Sequence, residues 1–195
     1  IQNDKYYKYD GFRVGYQIDL SNSLTLNVSA NRQTEEAGFD YQFMNQSRRF
    51  DNFSSLATIK FSPNSKNIMT PAGKYTYDQN FPEVYFNYEQ GYKTLGGDFN
   101  YSRLDILYTH QFRTILGNTG TRVYGGYYLG EAPIWHAFEM GGLDSNKNTG
   151  ILSNFNFTTY LGFATMTAGK YFNDKFAGYF ITHRIPWYFK SFGKN

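Results

Sequence analysis

The chain has 195 residues, 19 Lys and Arg against 16 Asp and Glu, a formal net charge of +3 and no cysteine. So mild and scattered a charge argues against a nucleic-acid-binding stripe, and the lack of cysteine excludes disulfide scaffolds, cysteine zinc sites and thiol nucleophiles. Aromatic side chains make up 21% of the chain, with 19 Tyr, 19 Phe and 2 Trp.

That excess suits a membrane interface, where an amphipathic ring sits between acyl chain and headgroup, better than a water-soluble core of close-packed aliphatics. The mean hydropathy of −0.58 fits a barrel, whose strands meet lipid only at every second residue. No apolar run is long enough for a transmembrane helix. Ile1 has no basic and apolar leader behind it, so a signal peptide is expected to have been removed, or the chain to begin at an internal point.

The dominant period is two. Phe12, Val14, Tyr16, Ile18 and Leu20 alternate with Arg13, Gly15, Gln17 and Asp19. The turn-forming Ser21-Asn22-Ser23 follows, then Leu24, Leu26, Val28 and Ala30 alternate with Thr25, Asn27, Ser29 and Asn31; together they read as a hairpin. Polar residues from Arg32 onward predict a long loop over 32–55. Ala57, Ile59 and Phe61 form the next strand, which Pro63 ends because proline cannot donate to a ladder. A second long loop is predicted over 62–82, then a strand with Val84, Phe86 and Tyr88 on one face and Glu83, Tyr85, Asn87 and Glu89 on the other.

The cleanest strand is 101–113, where Leu104, Ile106, Tyr108, His110 and Phe112 alternate with Arg103, Asp105, Leu107, Thr109, Gln111 and Arg113. Gly117-Asn118-Thr119-Gly120 predicts a tight turn. Thr121–Gly130 is strand-like, interrupted at Gly125-Gly126 by a bend, a bulge or a close approach of another backbone. A loop over 131–150 carries Trp135, His136 and Gly141-Gly142. The stretch 155–171 fits another strand, and Ala177, Tyr179, Ile181 and His183 form a last run that Pro186 ends.

The predicted fold is therefore all-β: an antiparallel transmembrane β-barrel with about seven or eight strands of roughly ten residues. The whole of 1–195 reads as one barrel segment, the C-terminal part of a larger barrel and incomplete at both ends. Loops 32–55, 62–82 and 131–150 are expected on one side of the membrane, and the turns at 21–23 and 117–120 on the other. A water-soluble all-β sandwich is the alternative, since it too shows alternation and turns.

Three stretches carry a family resemblance: "LATIKFSPNSKNIMTPAGKYTYDQNFPEVYFNYEQGYKTLGGDFNYSRLDILYTHQFR" (56–113), "VYGGYYLGEAPIWHAF" (123–138) and "KYFNDKFAGYFITHRIPWYF" (170–189). In this order they resemble the C-terminal half of a Bacteroidota-type outer-membrane family of unknown function. Its members carry a carboxypeptidase-regulatory-like domain followed by a barrel similar to the BamA/TamA-type assembly and translocation superfamily. The resemblance implies residence in the outer membrane of a Gram-negative bacterium. It also implies contact with membrane lipid, and other outer-membrane proteins or lipoproteins as partners. The chain departs from it in two ways. It has no Arg-Gly dipeptide, so the Arg-Gly-aromatic tip of the superfamily's inward-folded loop has no counterpart; the corresponding loop is 131–150. It also ends Phe192-Gly193-Lys194-Asn195 rather than on the terminal aromatic common in outer-membrane barrels.

Charges on a lipid face cost roughly 2–4 kcal/mol for Arg at the midplane. Arg103, Asp105, Thr109, Gln111, Arg113 and Arg184 are accordingly expected to face the lumen, and Leu104, Ile106, Tyr108 and Phe112 the lipid. The polar set reads either as a network holding a plug or loop, or as an ordinary wet barrel wall. His110, His136 and His183 have no metal-ligand spacing, and Gly141-Gly142-Leu143-Asp144-Ser145 is not a nucleophile elbow. No cofactor, catalytic constellation or nucleic-acid partner is expected. The expected function is assembly or translocation of outer-membrane or surface proteins. The alternatives are a porin-like or transport channel and a soluble β-rich surface-binding domain.

Overall fold

The computed structural model describes residues 7–44, 46–139, 141–143, 162–167 and 171–185. They form β1 (Tyr7–Asp19), β2 (Leu24–Ala37), β3 (Gln42–Phe43), β4 (Gln46–Ser47), β5 (Arg49–Phe61), β6 (Lys66–Thr70), β7 (Gly73–Asp78) and β8 (Glu83–Gly91). Then come β9 (Tyr101–Thr114), β10 (Gly117–Gly130), a 3-10 turn (Ile134–His136), β11 (Phe138–Glu139), β12 (Gly141–Leu143), β13 (Gly162–Thr167), β14 (Phe172–Asn173) and β15 (Lys175–Arg184). The chain is all-β. Seven strands make one sheet in the order β1-β2-β5-β8-β9-β10-β15, and every neighbouring pair in it is antiparallel. Each long strand thus pairs with the long strand before it, as short connections favour. Among the described residues no ladder joins β1 to β15.

Because a strand turns successive side chains to opposite faces, the register decides what each face becomes. One rung runs Tyr16–Val28–Ala57–Tyr88–Leu104–Tyr127, the next Ile18–Leu26–Ile59–Phe86–Ile106–Gly125–Ala177, and a third Leu24–Phe61–Val84–Tyr108–Val123–Tyr179. Over these rungs one face is apolar except at Lys175 of β15, which stands opposite Tyr127 with its Nζ 5.1 Å from the centre of that ring. The rung on the opposite face between the first two runs Gln17–Asn27–Thr58–Asn87–Asp105–Gly126–Phe176. Exposure is inverted relative to a water-soluble protein: Ile106 is 47% exposed and Tyr16 70%, whereas Asp105, Asn52 and Glu83 are buried. Fully buried aromatics (Phe50, Phe99, Tyr101, Tyr128 and Phe138) gather at one end of the polar face.

Several sequence-based boundaries move. The predicted loop 32–55 shrinks to 38–48, because β2 runs on to Ala37 and β5 starts at Arg49. Polar residues complete a ladder as well as apolar ones do; only the side-chain pattern changes there. Loop 62–82 contains the β6–β7 hairpin. The tight turn falls at Ile115-Leu116 rather than 117–120, with Thr114 opposite Gly117 and Gly117 at φ 137°. β10 is continuous through Gly125-Gly126. Of the ambiguous stretch 155–171, β13 is a strand, paired in parallel with β12 that holds Gly141-Gly142; 155–161 and 168–170 lie outside the described residues, as does Pro186.

The expected sidedness is also corrected. Connections in an antiparallel meander alternate between the two ends of the sheet, and the sequence reading passed over the connection 92–100. Loop 62–82 therefore lies at the same end as the turns at 20–23 and 115–116, opposite 38–44, 92–100 and 131–139. Contacts agree: Lys74 Nζ lies 3.5 Å from Asp19 Oδ1, and Asn67 Nδ2 donates to the Asn22 carbonyl. The chain has no cysteine, so the double variant Asn22→Cys/Asn67→Cys should oxidise to an intramolecular disulfide visible on non-reducing gels. With the loop at the opposite end, no such bridge would form.

Candidate functional site

The connection after β10 turns back across the polar face. Pro133 precedes the Ile134–His136 turn, and the two side chains that follow reach the first strands of the sheet. Trp135 stacks on Tyr7 of β1 at 5.3 Å between ring centroids and meets Tyr41 at 5.1 Å and Phe50 at 5.8 Å. His136 lies against Tyr101 at 4.8 Å and Phe99 at 5.3 Å. Phe138 then settles onto β10 at Gly126, where a Cβ would come within 2.2 Å of its ring. The glycine pair read as a possible close approach in the sequence is such a place, with a ring rather than a backbone as the visitor.

At the centre of this contact is Glu35, whose exposure is 0%. Its carboxylate accepts hydrogen bonds from Gln33 Nε2 (2.7 Å), Asn52 Nδ2 (3.0 Å), His136 Nε2 (2.9 Å) and Trp135 Nε1. Two donors come from the sheet and two from the loop, so the carboxylate holds one to the other. Glu35 lies beyond the apolar band, which on β2 runs from Leu24 to Ala30. Burial pushes its carboxyl up, but the hydrogen bonds from His136, Trp135 and Gln33 outweigh this and hold it below the usual carboxylate range. Asn52 also reaches the Tyr101 hydroxyl at 3.4 Å, and that hydroxyl donates to Glu89 Oε1 at 2.6 Å.

A second chain of bonds leads away from the loop. Thr58 Oγ1 donates to Asn87 Oδ1 at 2.7 Å, and Asn87 Nδ2 to Asp105 Oδ1 at 2.8 Å. Asp105 Oδ2 lies 3.9 Å from Arg103 Nε, and the Arg103 guanidinium stands 4.5 Å over the Phe138 ring. A cation over a ring face is attracted by the ring's quadrupole. The polar rung thereby supports the loop at a second point.

The sequence-derived polar set divides. Arg103 and Asp105 are joined, and Arg103 touches Phe138 after the loop. Thr109 is buried, with its Oγ1 3.4 Å from the Glu83 carbonyl. Gln111, Arg113 and Arg184 stand exposed at the far, short-turn end of the same face. Leu104, Ile106, Tyr108 and Phe112 all lie on the apolar face. His110 shares that face, between the rings of Tyr108 and Phe112.

Glu35 and Asn52 were not singled out in the sequence, and Trp135 and His136 were placed in a loop without this role. Glu35 continues the polar alternation Asn31, Gln33, Glu35, and that phase was the available signal. No family model, curated protein or solved structure matches the chain.

Removing one side of a buried hydrogen-bonded charge leaves the other uncompensated, at a cost of about 3–5 kcal/mol. Glu35→Ala should destabilise the fold by about 3 kcal/mol in urea unfolding and red-shift Trp135 emission in a Trp187→Phe background. Because the folded carboxyl lies below its unfolded value of about 4.3, its contribution is complete above that pH. It is lost as pH falls through the folded value, so wild type and Glu35→Ala should converge in stability in acid. An equal gap at neutral and strongly acidic pH would contradict the role assigned to Glu35.

Proposed function

We propose that this chain is a wall segment of a transmembrane β-barrel in the outer membrane of a Gram-negative bacterium. The protein it belongs to assembles or translocates other outer-membrane or surface proteins. The observation that carries the membrane reading is the apolar face. Three rungs across the sheet make a patch about 30 Å wide and about 14 Å from the first rung to the third, taking ~4.8 Å between strands and ~3.4 Å per residue. So broad and continuous an apolar surface, with Tyr16, Ile106 and Tyr179 well exposed on it, is unusual for a soluble monomer and has the outward apolar character of a lipid-facing barrel wall. The opposite face, rich in Asn, Thr, Gln and charge, suits a wet interior. An open edge in hydrocarbon would leave backbone groups unpaired at several kcal/mol each, so further strands are needed to close the wall beyond β1 and β15.

Two features favour the assembly or translocation reading over an open pore. One is the resemblance of 56–189 to barrels of that superfamily. The other is the loop held across the polar face by Glu35, which takes up interior space a pore would need. The partners that follow are membrane lipid and other outer-membrane proteins or lipoproteins. Such work relies on binding and on a yielding wall rather than on a catalytic group.

A porin-like or transport channel is the second reading. The water-accessible polar recess at the short-turn end of the face, described below, speaks for it.

Cysteines placed singly at Ile106 and Asp105 in the protein reconstituted into vesicles test the membrane reading. Brominated lipid should quench a fluorophore at Ile106 and leave one at Asp105 bright; equal quenching at the two would refute it. In planar bilayers wild type should show little steady conductance, and Glu35→Ala more of it, as the loop is released. A large, steady wild-type conductance would favour the channel.

A further inference from the structure

The glycines of the polar face differ in what lies over them. A Cβ at Gly91 would strike the Tyr101 ring at 2.2 Å, one at Gly126 the Phe138 ring at 2.2 Å, and one at Gly178 the rings of Phe176 and Phe180 at 2.7–2.8 Å. Each of these glycines makes room for an aromatic side chain. Gly11 and Gly15 lie against β2 instead, and Gly120 has neither a ring nor a close backbone above it: the nearest atom to its Cβ would be the Thr182 carbonyl oxygen at 3.9 Å. Gly120 stands between Gln111 of β9 and Thr182 of β15 in the register, with Asn118 and Arg122 two residues to either side on its own strand. The result is a cavity of about 410 Å³ whose walls include Gln111, Asn118, Arg122, Thr182 and Arg184.

The chemistry of those walls is one-sided. Arg and Asn present N–H donors, Gln and Thr can donate, and only Arg carries charge among the five. The buried carboxylate in the cavity wall, Glu83, is already matched: Lys60 Nζ lies 2.8 Å from its Oε1, and Gln79 Nε2 donates to its Oε2 at 3.0 Å. Arg122 Nη2 donates to Thr182 Oγ1 at 2.7 Å, which orients the guanidinium along the wall. Arg184, exposed, has no carboxylate within 4 Å among the described residues. Phe81 adds one apolar wall. The volume lies within the range of small-molecule sites, which bind by a few convergent polar groups against an apolar surface.

We infer that the recess over Gly120 is a binding site for a phosphorylated small solute. The phosphate would lie between Arg122 and Arg184, and the remainder of the solute against Phe81. Guanidinium groups match a phosphate with paired, charge-assisted hydrogen bonds, and the cavity is several times larger than a bare phosphate needs. The inference rests on this chain's own residues and does not require the membrane reading.

The test is titration of the whole protein that contains this chain, purified in detergent, with glycerol 3-phosphate, inorganic phosphate, glycerol and acetate at constant ionic strength, followed by calorimetry. Glycerol 3-phosphate should bind tightest, inorganic phosphate more weakly, and glycerol not at all. Gly120→Val should weaken binding of glycerol 3-phosphate at least tenfold. Gly120 is not at positive φ, and an added Cβ would meet only the Thr182 carbonyl oxygen at an ordinary 3.9 Å, so valine enters the recess without disturbing the ladder, as an unchanged circular dichroism spectrum would verify. Arg184→Gln, at an exposed position, should cost about tenfold, the loss of one charge-assisted hydrogen bond. Acetate binding as tight as phosphate would overturn the inference. So would binding left intact by Gly120→Val, or no binding of glycerol 3-phosphate by a correctly folded chain.

Discussion

A β-strand assigns every residue to one of two faces, and a slip of one residue in register reverses the assignment for the whole strand. Everything else in this protein depends on seven strands keeping one phase. Tyr16 finds Val28, Val28 finds Ala57, and the rung continues to Leu104 and Tyr127 without a polar side chain intruding. The polar rungs are held in the same phase, so Thr58, Asn87 and Asp105 meet in line and bond to one another. A register error at any one ladder would bury Leu or Tyr among amides and turn Asp or Asn outward. The two faces therefore specify one another.

That phase was legible in the sequence wherever apolar and polar residues alternate strictly. The opposed placement of Leu104, Ile106, Tyr108 and Phe112 against Arg103, Asp105 and Thr109 follows from period two alone. Legibility stopped where the apolar face turns polar. At Arg32, Thr34 and Glu36 in β2, and at Arg49 and Asp51 in β5, the ladder continues but the alternation signal fades. Those strand extensions were taken for loop. The backbone hydrogen bonds that define a strand are blind to side-chain polarity, so no hydrophobic pattern could have placed their ends. The Ile115-Leu116 turn was missed for a related reason. Glycine and asparagine signal a turn nearby, but here Gly117 follows the turn, and the two central residues are aliphatic.

The loop contact was less legible still. Glu35 meets Trp135 and His136 across about a hundred positions of sequence, and nothing in local composition marks such a pair. What could be read was the vacancy: Gly126 in an otherwise strong strand has a reason only once Phe138 is seen above it. Gly91 under Tyr101 is the same device. Other glycines of the sheet have other neighbours: Gly11 and Gly15 lie against the backbone of β2, and Gly125 against that of β15.

The span of the Glu35 contact bears on the order in which the molecule comes together. The β1–β2 hairpin pairs residues close in sequence and can form early, because closing a short loop costs little entropy. Its rim carboxylate has two of its four donors within reach once β5 has joined, from Gln33 and Asn52. The other two arrive only after β8, β9 and β10 have been laid down. Until then Glu35 must stay hydrated, since an ionised carboxylate without its full set of partners resists burial. The chain's N-terminal rim thus stays open to water until its sixth long strand is in place. Closure of that rim is a late event, coupled to the correct pairing of everything between residues 35 and 136.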